Sequence, residues 1–425
     1  MITIYTTETT TRLSYAVAEI FGNRLGLTPR FTTQIDEFKA ATGLKINYSN
    51  TALGEGLQII PQDLLFSEGI TQQYPDVITD EQWHTQIWPN KKGDIPFDLF
   101  AATFYLLTRY EEYTITERDA HNRFTAQHSL AYAHHFLDVP LVDVWCKELK
   151  NILIKIKPDQ AFKKHTYEQL ITVDVDFAFK YAGLSPIKWL GKLAKNLLNF
   201  DTKEAALQLK STLNNQHDPY NTYDFINETT QGQATYFILM SNKGGFDKNI
   251  NPKSNALKTL VSKLQKQAKC VGIHPSYASN QNTKLVAQEK AQLEHILQAK
   301  VTHARQHFLK VELPKTYETL SSQGIKYDYS LFYAEQPGFR ASTCFPFTFY
   351  NLQADIFTGL TIMPTCVMDT TLDQYQNLPH NLWQNALLKL EQTIKSHDGK
   401  FISLWHNNTF AQPEIQAVFK NIVNN

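Results

Sequence analysis

Seven ionisable side chains sit at the ends of short apolar runs: Asp174, Asp176, His274, Arg305, His307, Asp328 and His406. Asp174-Val175-Asp176 alternates, so in a strand both carboxylates point to the same face. Two carboxylates on one face repel unless a cation or a proton lies between them. Either one holds a metal ion while the other acts as a general base, or the pair are strand-end caps satisfied by water. His274 stands in Gly272-Ile273-His274-Pro275 and His406 in Ser403-Leu404-Trp405-His406, each after an apolar run. Alone, His274 reads more readily as a satisfied structural histidine than as a ligand, and His406 reads equally as either. With the Asp pair they make a ligand set suited to zinc or another divalent ion, with an imidazole to spare for proton transfer.

The elements that would carry these residues follow a regular plan. Strand-like runs at 169–177, 234–240, 270–276, 301–307, 325–331 and 400–407 are mostly separated by helical patterns, as at 257–268, 285–298, 315–323 and 381–396. Such alternation argues for an α/β fold of parallel βαβ units, in an open sheet or a barrel. In parallel barrels the C-terminal rim of the strands is where active sites are built. The stretch 345–368 breaks the pattern as a β-hairpin, and 181–230 reads as a helical insertion. Residues 1–160 form a smaller α/β unit of open role, with strands at 2–6, 44–49 and 57–60 and helices at 12–25, 95–113 and 140–156. A Lys-rich linker at 157–165 leads into the second unit, 168–425.

Composition narrows the function classes. At about 150 residues per domain, 425 residues suggest two or three domains. Hydrophobic residues at 42% against 19% charged allow a large core. Lys+Arg and Asp+Glu are both 41, which argues against a nucleic-acid binder working through a broad basic surface. The 26 Phe, 20 Tyr and 6 Trp suit stacking on carbohydrate and suit plain packing equally. No run of about 18 apolar residues predicts a membrane span, and the N-terminus lacks the pattern of a secretory signal. None of Cys146, Cys270, Cys344 and Cys366 lies in a CxxC pair, so neither a zinc ribbon nor a thioredoxin-type motif is present. Four reduced thiols in a cytoplasmic protein are expected.

The ordered motifs resemble those of the polysaccharide deacetylase family (carbohydrate esterase family four, the NodB-like domain). Thr172-Val173-Asp174-Val175-Asp176 resembles its first motif and Ala234-Thr235-Tyr236-Phe237-Ile238 its second strand. Gly272–Ser276 is similar to the start of its histidine motif, and Ala304-Arg305-Gln306-His307-Phe308 to its arginine motif. Tyr327-Asp328-Tyr329-Ser330 resembles the aspartate–aromatic motif and Leu404-Trp405-His406 the final Leu-x-His. The resemblance spans residues 168–412; the segment 96–113 further resembles an uncharacterised domain found before divergent bacterial deacetylase domains. It implies a distorted βα-barrel of about seven strands and metal-dependent removal of acetyl groups from an N-acetylated amino-sugar glycan or glycan precursor. It further implies Asp174 as general base, Asp176 and His274 as metal ligands, Arg305 as the residue orienting the base, Asp328 as the aspartate tuning the acid, and His406 as the general acid.

One departure touches the metal. The family places a second histidine four residues after the first, and position 278 is alanine. His307, two residues beyond Arg305, is the candidate third ligand; otherwise it packs in a loop. Arg340, after a Pro-Gly turn, is placed as a substrate-binding residue, with a surface salt bridge as its plainer role. Trp405 is placed as a sugar-stacking residue, with an inward barrel position as its plainer role. Arg109, Glu111 and Glu112 are expected to be a solvated charge cluster. Two other functions compete with a zinc-dependent deacetylase: a metal-independent amidohydrolase acting on a small C–N substrate, and a catalytically silent glycan-binding protein. The oligomeric state is not encoded in these patterns.

Overall fold

The structure is a computed structural model and describes residues 1–241 and 244–425. Strands β1 (Ile2–Thr6), β2 (Pro29–Thr32), β3 (Leu44–Tyr48) and β4 (Leu57–Ile59) form a parallel sheet in the order β2-β1-β3-β4. β2 was not legible: it opens on a proline and alternates polar residues, which only an edge strand tolerates. β5 (Val77–Asp80) and β6 (His84–Ile87) add an antiparallel hairpin. The helix Thr11–Val17 is capped by Thr10 and runs on in π-helical geometry over Ala18–Arg24. Leu99–Leu107 is buried along its whole length and capped by Asp98, which accepts from the N–H of Phe100 and Ala101. It ends where Arg109 takes a positive φ of 56°, so the expected helix at 95–113 is two helices, the second being Glu111–Thr114.

The second sheet has nine strands: β7 (Glu168–Val175), β8 (Thr235–Leu239), β9 (Cys270–His274), β10 (His303–Ala304), β11 (Tyr327–Asp328), β12 (Phe347–Asn351), β13 (Ile356–Ile362), β14 (Val367–Met368) and β15 (Lys400–His406). Their order is β12-β13-β11-β10-β9-β8-β7-β15-β14, and every pairing is parallel except β12 with β13. The near-continuous burial of β7, β8 and β15 is that of parallel strands covered on both faces.

The expected distorted barrel of about seven strands has nine strands in its sheet and is not closed by strand pairing, which leaves β12 and β14 as the two edges. The seam is crossed by the chain between β13 and β14. There Met363 N donates to Asp328 O at 2.8 Å, on the β11 side, and Cys366 N donates to Ile402 O at 3.0 Å, on the β15 side. Between them Pro364 has no N–H to give, so no strand continues across.

Gly272 in β9 fits because a Cβ there would meet His303 O at 2.7 Å and the Phe237 ring at 2.8 Å. This close approach holds β8, β9 and β10 together beneath the histidines. Residues 181–230 are helical, as Pro186–Leu198, Thr202–Leu213 and Tyr223–Thr229. The cysteines are free thiols, three of them buried. No helix of the described residues is long and apolar enough to cross a membrane.

Candidate metal centre

Asp174 is the penultimate residue of β7, Asp176 the first residue beyond it, His274 the last of β9 and His406 the last of β15. Arg305 and His307 follow β10 directly. Parallel pairing in register therefore delivers all six to one rim: His406 is opposite Asp174 across β15 and β7, and Ala304 opposite Ile273 across β10 and β9.

Three imidazoles converge on Asp176. His274 Nε2 lies 3.1 Å from Oδ1, while His307 Nε2 and His406 Nε2 each lie 3.6 Å from Oδ2. Each ring is held from behind through Nδ1: His274 on the carbonyl of Arg305, His307 on Asp247 Oδ1 at 2.8 Å, and His406 on Asp369 Oδ1 at 2.7 Å. A ring that donates Nδ1–H to an oxygen presents its Nε2 lone pair forward, which is how metal-binding histidines are oriented. Asp176 Oδ1 is buried and accepts no hydrogen bond despite the nearby imidazole. A buried carboxylate oxygen left this way is costly unless something else fills its lone pair. Ligand atoms of Asp176, His274 and His307 all lie within 4.8 Å of one another. Two imidazoles and one carboxylate suit a borderline divalent ion such as zinc, so the residues present fit the group.

The charges follow the geometry. Burial alone would raise the Asp176 carboxyl, but His307 and His274 hold it well below the usual carboxylate range. Burial pulls His307 down; Asp176 and Asp247 outweigh it and push the imidazole up to about 9. His406, likewise lowered by burial, is pushed up to about 10 by Asp369, then by Asp176 and Asp174.

Asp174 is buried beside this cluster. Arg305 Nη1 donates to its Oδ1 at 3.0 Å, and His274 Nε2 is 3.6 Å from its Oδ2. The guanidinium is itself fixed by Tyr329 O and Thr365 Oγ1, both at 3.1 Å, and lies 4.8 Å from the centre of the Phe237 ring.

Asp328 stands apart from His406. It is fully buried and accepts from Ser330 N at 2.8 Å and Ser330 Oγ at 2.7 Å. Burial pushes its carboxyl up to about 6, against the pull of Ser330, Tyr317 and Arg305. The carboxylate on His406 is Asp369, just past β14, which accepts from the His406 ring, from His406 N at 2.8 Å and from Thr409 Oγ1 at 2.7 Å. Asp247 was equally unforeseen. Besides His307 it accepts from Tyr277 N at 2.8 Å and Ala278 N at 3.3 Å, so the alanine at the missing-histidine position serves through its backbone.

The two expected substrate contacts face elsewhere. Arg340 is buried and pairs bidentately with Glu112, at 2.9 and 2.6 Å, with Phe332 O accepting at 3.1 Å. Glu112 also pairs with Arg109 at 2.8 Å, and Arg109 with Glu111 and the Tyr333 hydroxyl. The cluster expected to be solvated is thus a dry network, because the apolar ends of Leu99–Leu107 carry it into the interior. Trp405 is 1% exposed, donates to Ser403 Oγ at 2.9 Å and stacks on Phe410. Strand alternation turns it away from the side that His406 faces.

A cavity of about 200 Å³ opens over Asp174, Asp176, His274, His307 and His406. Its wall includes Arg123 from the first part of the chain, which donates to Phe308 O at 3.0 Å and Tyr375 Oη at 3.2 Å and pairs with Asp119 at 2.7 Å. Phe308, beside His307, holds a positive φ of 62°, uncommon for an aromatic residue and typical of functional sites.

Residues 2–158 match a family of unknown function, DUF7033. No curated protein matches the chain. Among solved structures, a Mycobacterium smegmatis protein provisionally designated a polysaccharide deacetylase is similar over 62% of this chain and 84% of its own, at 13% identity and a TM-score of 0.40. A Pseudomonas aeruginosa protein of the same provisional designation covers 61% and 84%, at 7% identity and 0.41. The PuuE allantoinase covers 61% and 84%, at 9% identity and 0.39. Likeness at this level carries no argument about activity, which rests on the side chains described above.

Proposed function

We propose that this site belongs to a metal-dependent hydrolase that removes acetyl groups from the nitrogen of an N-acetylated amino sugar in a glycan or glycan precursor. The observation that carries the reading is the convergence of three back-anchored imidazoles on the carboxylate of Asp176, whose buried Oδ1 accepts no hydrogen bond. Asp176, His274 and His307 would hold the ion, which when bound supplies Lewis-acid polarisation of an acyl oxygen and acidifies water.

The chain's own groups supply the rest. Asp174, aligned by Arg305 and barred from the aqueous bulk, is placed to take a proton from water. His406, kept protonated by Asp369, is placed to give one to the departing nitrogen. A base and an acid held on adjacent strands, with positions set by hydrogen bonds behind them, are what amide hydrolysis requires.

The cavity's extent supports a sugar chain as the substrate. Its 200 Å³ falls below the range of about 300–1,000 Å³ usual for ligand pockets. A second cavity of about 290 Å³ lies beyond Arg123 and Tyr375, which line both. Tyr132, Gln127, Gln336 and Glu335 line it, an aromatic and amide-rich surface suited to the apolar faces and hydroxyls of a pyranose. With Asp119 neutralising Arg123 and Glu335 adding a negative charge, an uncharged glycan fits better than an anionic one.

The test is acetate release from N-acetylglucosamine and its tetramer by zinc-loaded protein, by chelated protein and by the Asp174→Asn variant. Release that needs both zinc and Asp174 is expected. Release that survives chelation and Asp176→Asn would instead establish the metal-independent amidohydrolase, and no release under any condition would end both readings.

A further inference from the structure

The helical insertion is built inside out. Its two helices, Pro186–Leu198 and Thr202–Leu213, meet through polar side chains: Trp189 Nε1 donates to Thr212 Oγ1 at 2.7 Å, Gln208 Nε2 to Trp189 O at 2.7 Å and Asn196 Nδ2 to Gln208 Oε1 at 3.0 Å. The residues buried along the second helix are Ala205, Gln208 and Ser211. Most of the large apolar residues point outward, with Trp189, Leu193 and Leu207 half-buried. Ile187, Leu190 and Leu197 recur at helical spacing on the open side of the first helix, Leu209 and Leu213 on that of the second, and Phe200 stands at the turn. Ile187 is 85% exposed, Phe200 89% and Leu213 90%, and no residue of Pro186–Leu198 is buried. A soluble surface rarely leaves such a patch open without an interaction to use it.

Charge selects the kind of surface it meets. Residues 185–213 hold five lysines, Lys188, Lys192, Lys195, Lys203 and Lys210, against Asp201 and Glu204 only, while the whole chain is neutral. Both acids are spent on the hairpin's own structure, as is Lys192: Asp201 caps the second helix, Glu204 binds Lys180 and the Tyr181 hydroxyl, and Lys192 donates to Lys180 O at 2.9 Å, which leaves Lys188, Lys195, Lys203 and Lys210. The helices, 13 and 12 residues long, are too short to span a bilayer, which takes about 20 residues. Short helices with one apolar face and flanking lysines lie in the plane of an anionic membrane surface.

We infer that the hairpin at 185–213 docks the protein on an anionic lipid surface, with its outward apolar stripe in the headgroup boundary and its lysines on the lipid phosphates. The hairpin leaves the sheet just past Asp176, and its root is pinned by Asp218, which accepts from the N–H of Lys180, Tyr181 and Ala182. Docking would therefore bring the rim that carries the metal centre to the lipid surface. This inference stands whether or not the site hydrolyses acetylated sugars.

Co-sedimentation of the full chain with vesicles tests it. Binding to vesicles of equal parts phosphatidylglycerol and phosphatidylcholine is expected, falling at high salt and weaker by about tenfold or more on phosphatidylcholine alone, since each lysine near an anionic surface contributes about fivefold. Two exposed pairs of substitutions separate the contributions. Leu190→Ser with Phe200→Ser should lower binding on either lipid, and Lys188→Glu with Lys195→Glu should lower it about tenfold or more on the anionic vesicles only; unchanged circular dichroism shows that each variant folds. Protein that stays in the supernatant with anionic vesicles, or binding that neither pair of substitutions moves, overturns the inference. So does a dimer in sedimentation equilibrium that the apolar pair disperses while vesicles bind nothing, because the face would then be an interface between two copies.

Discussion

Glu112→Gln is expected to destabilise the protein by about 3–5 kcal/mol, the usual cost of breaking a buried ion pair, without a specific effect on substrate affinity. The wild-type carboxylate is buried between two guanidinium groups. Burial works to raise its pKa, yet Arg340 and Arg109 bring it down from 4.5 to about 2. At about 1.36 kcal/mol per unit that depression corresponds to about 3 kcal/mol of stability. The sign follows from linkage: because the folded value lies below the unfolded one, the stabilisation is complete above pH 4.5 and is lost as pH falls through 4.5 toward 2. The glutamine variant keeps one acceptor oxygen but no charge, so Arg340 loses its only carboxylate partner and keeps Phe332 O and the Tyr333 ring, whereas Arg109 retains Glu111. Urea unfolding across pH 7 to 3 measures this: the gap between wild type and variant should be widest at neutral pH and narrow on acidification. Combining Glu112→Leu with Arg340→Met should cost much less than either charge-orphaning single change. If Arg340→Met raised KM while leaving the unfolding midpoint in place, the buried network would be the wrong account and Arg340 a substrate contact after all.

Other outcomes follow from the proposed metal centre. Asp176→Asn and His307→Gln should each lower zinc content in elemental analysis after dialysis, whereas Asp174→Asn should keep its zinc and lose hydrolysis. His406→Ala should lower kcat by about 10²–10⁴-fold with zinc retained, the usual worth of a general acid. Asp369→Asn removes the first charge that raises His406, so the basic limb of the pH–rate profile should move to lower pH; Asp328→Asn, which does not touch that ring, should leave the limb in place. Arg123→Met, which releases the Phe308 carbonyl and Tyr375, should reduce the preference for the tetramer over N-acetylglucosamine in kcat/KM.

Much of the second sheet could be read from the chain because its strands announce themselves twice. Runs such as Leu170–Val175 and Phe401–Trp405 are apolar enough to be buried on both faces, and each ends on an ionisable residue. That conjunction located Asp174, His274 and His406 without any knowledge of the fold. Closure was not legible. It turns on one segment, 363–366, which bonds to Asp328 O on one side and Ile402 O on the other without forming a strand. The helix at 95–113 failed for a similar local reason, the left-handed turn at Arg109.

The supporting residues were harder to see than the reactive ones, and the difference is physical. A side chain that faces a substrate sits at a predictable place, the end of a strand; one that orients it can come from anywhere the chain passes. Asp247 lies in a loop with no periodicity, yet it fixes the ring of His307. Asp369 did leave a trace, since Val367-Met368-Asp369 repeats on a small scale the apolar-then-acid pattern of β7. The hairpin read at 345–368 stops one residue short of it, and the resemblance gives its role to Asp328. Arg340 erred in the other direction. A guanidinium after a Pro-Gly turn looks exposed in sequence, but Gly338 packs so close to Leu137 that a Cβ there would run into the Leu137 carbonyl oxygen. That close approach draws the turn under the first part of the chain, where Glu112 waits for the charge. The same first part supplies Arg123 to the wall of the cavity over Asp176. Residues 1–160 thus meet the second unit through contacts more than a hundred residues apart in sequence, for which no local pattern exists: the Arg123–Phe308 bond spans 185 positions and the Glu112–Arg340 pair 228.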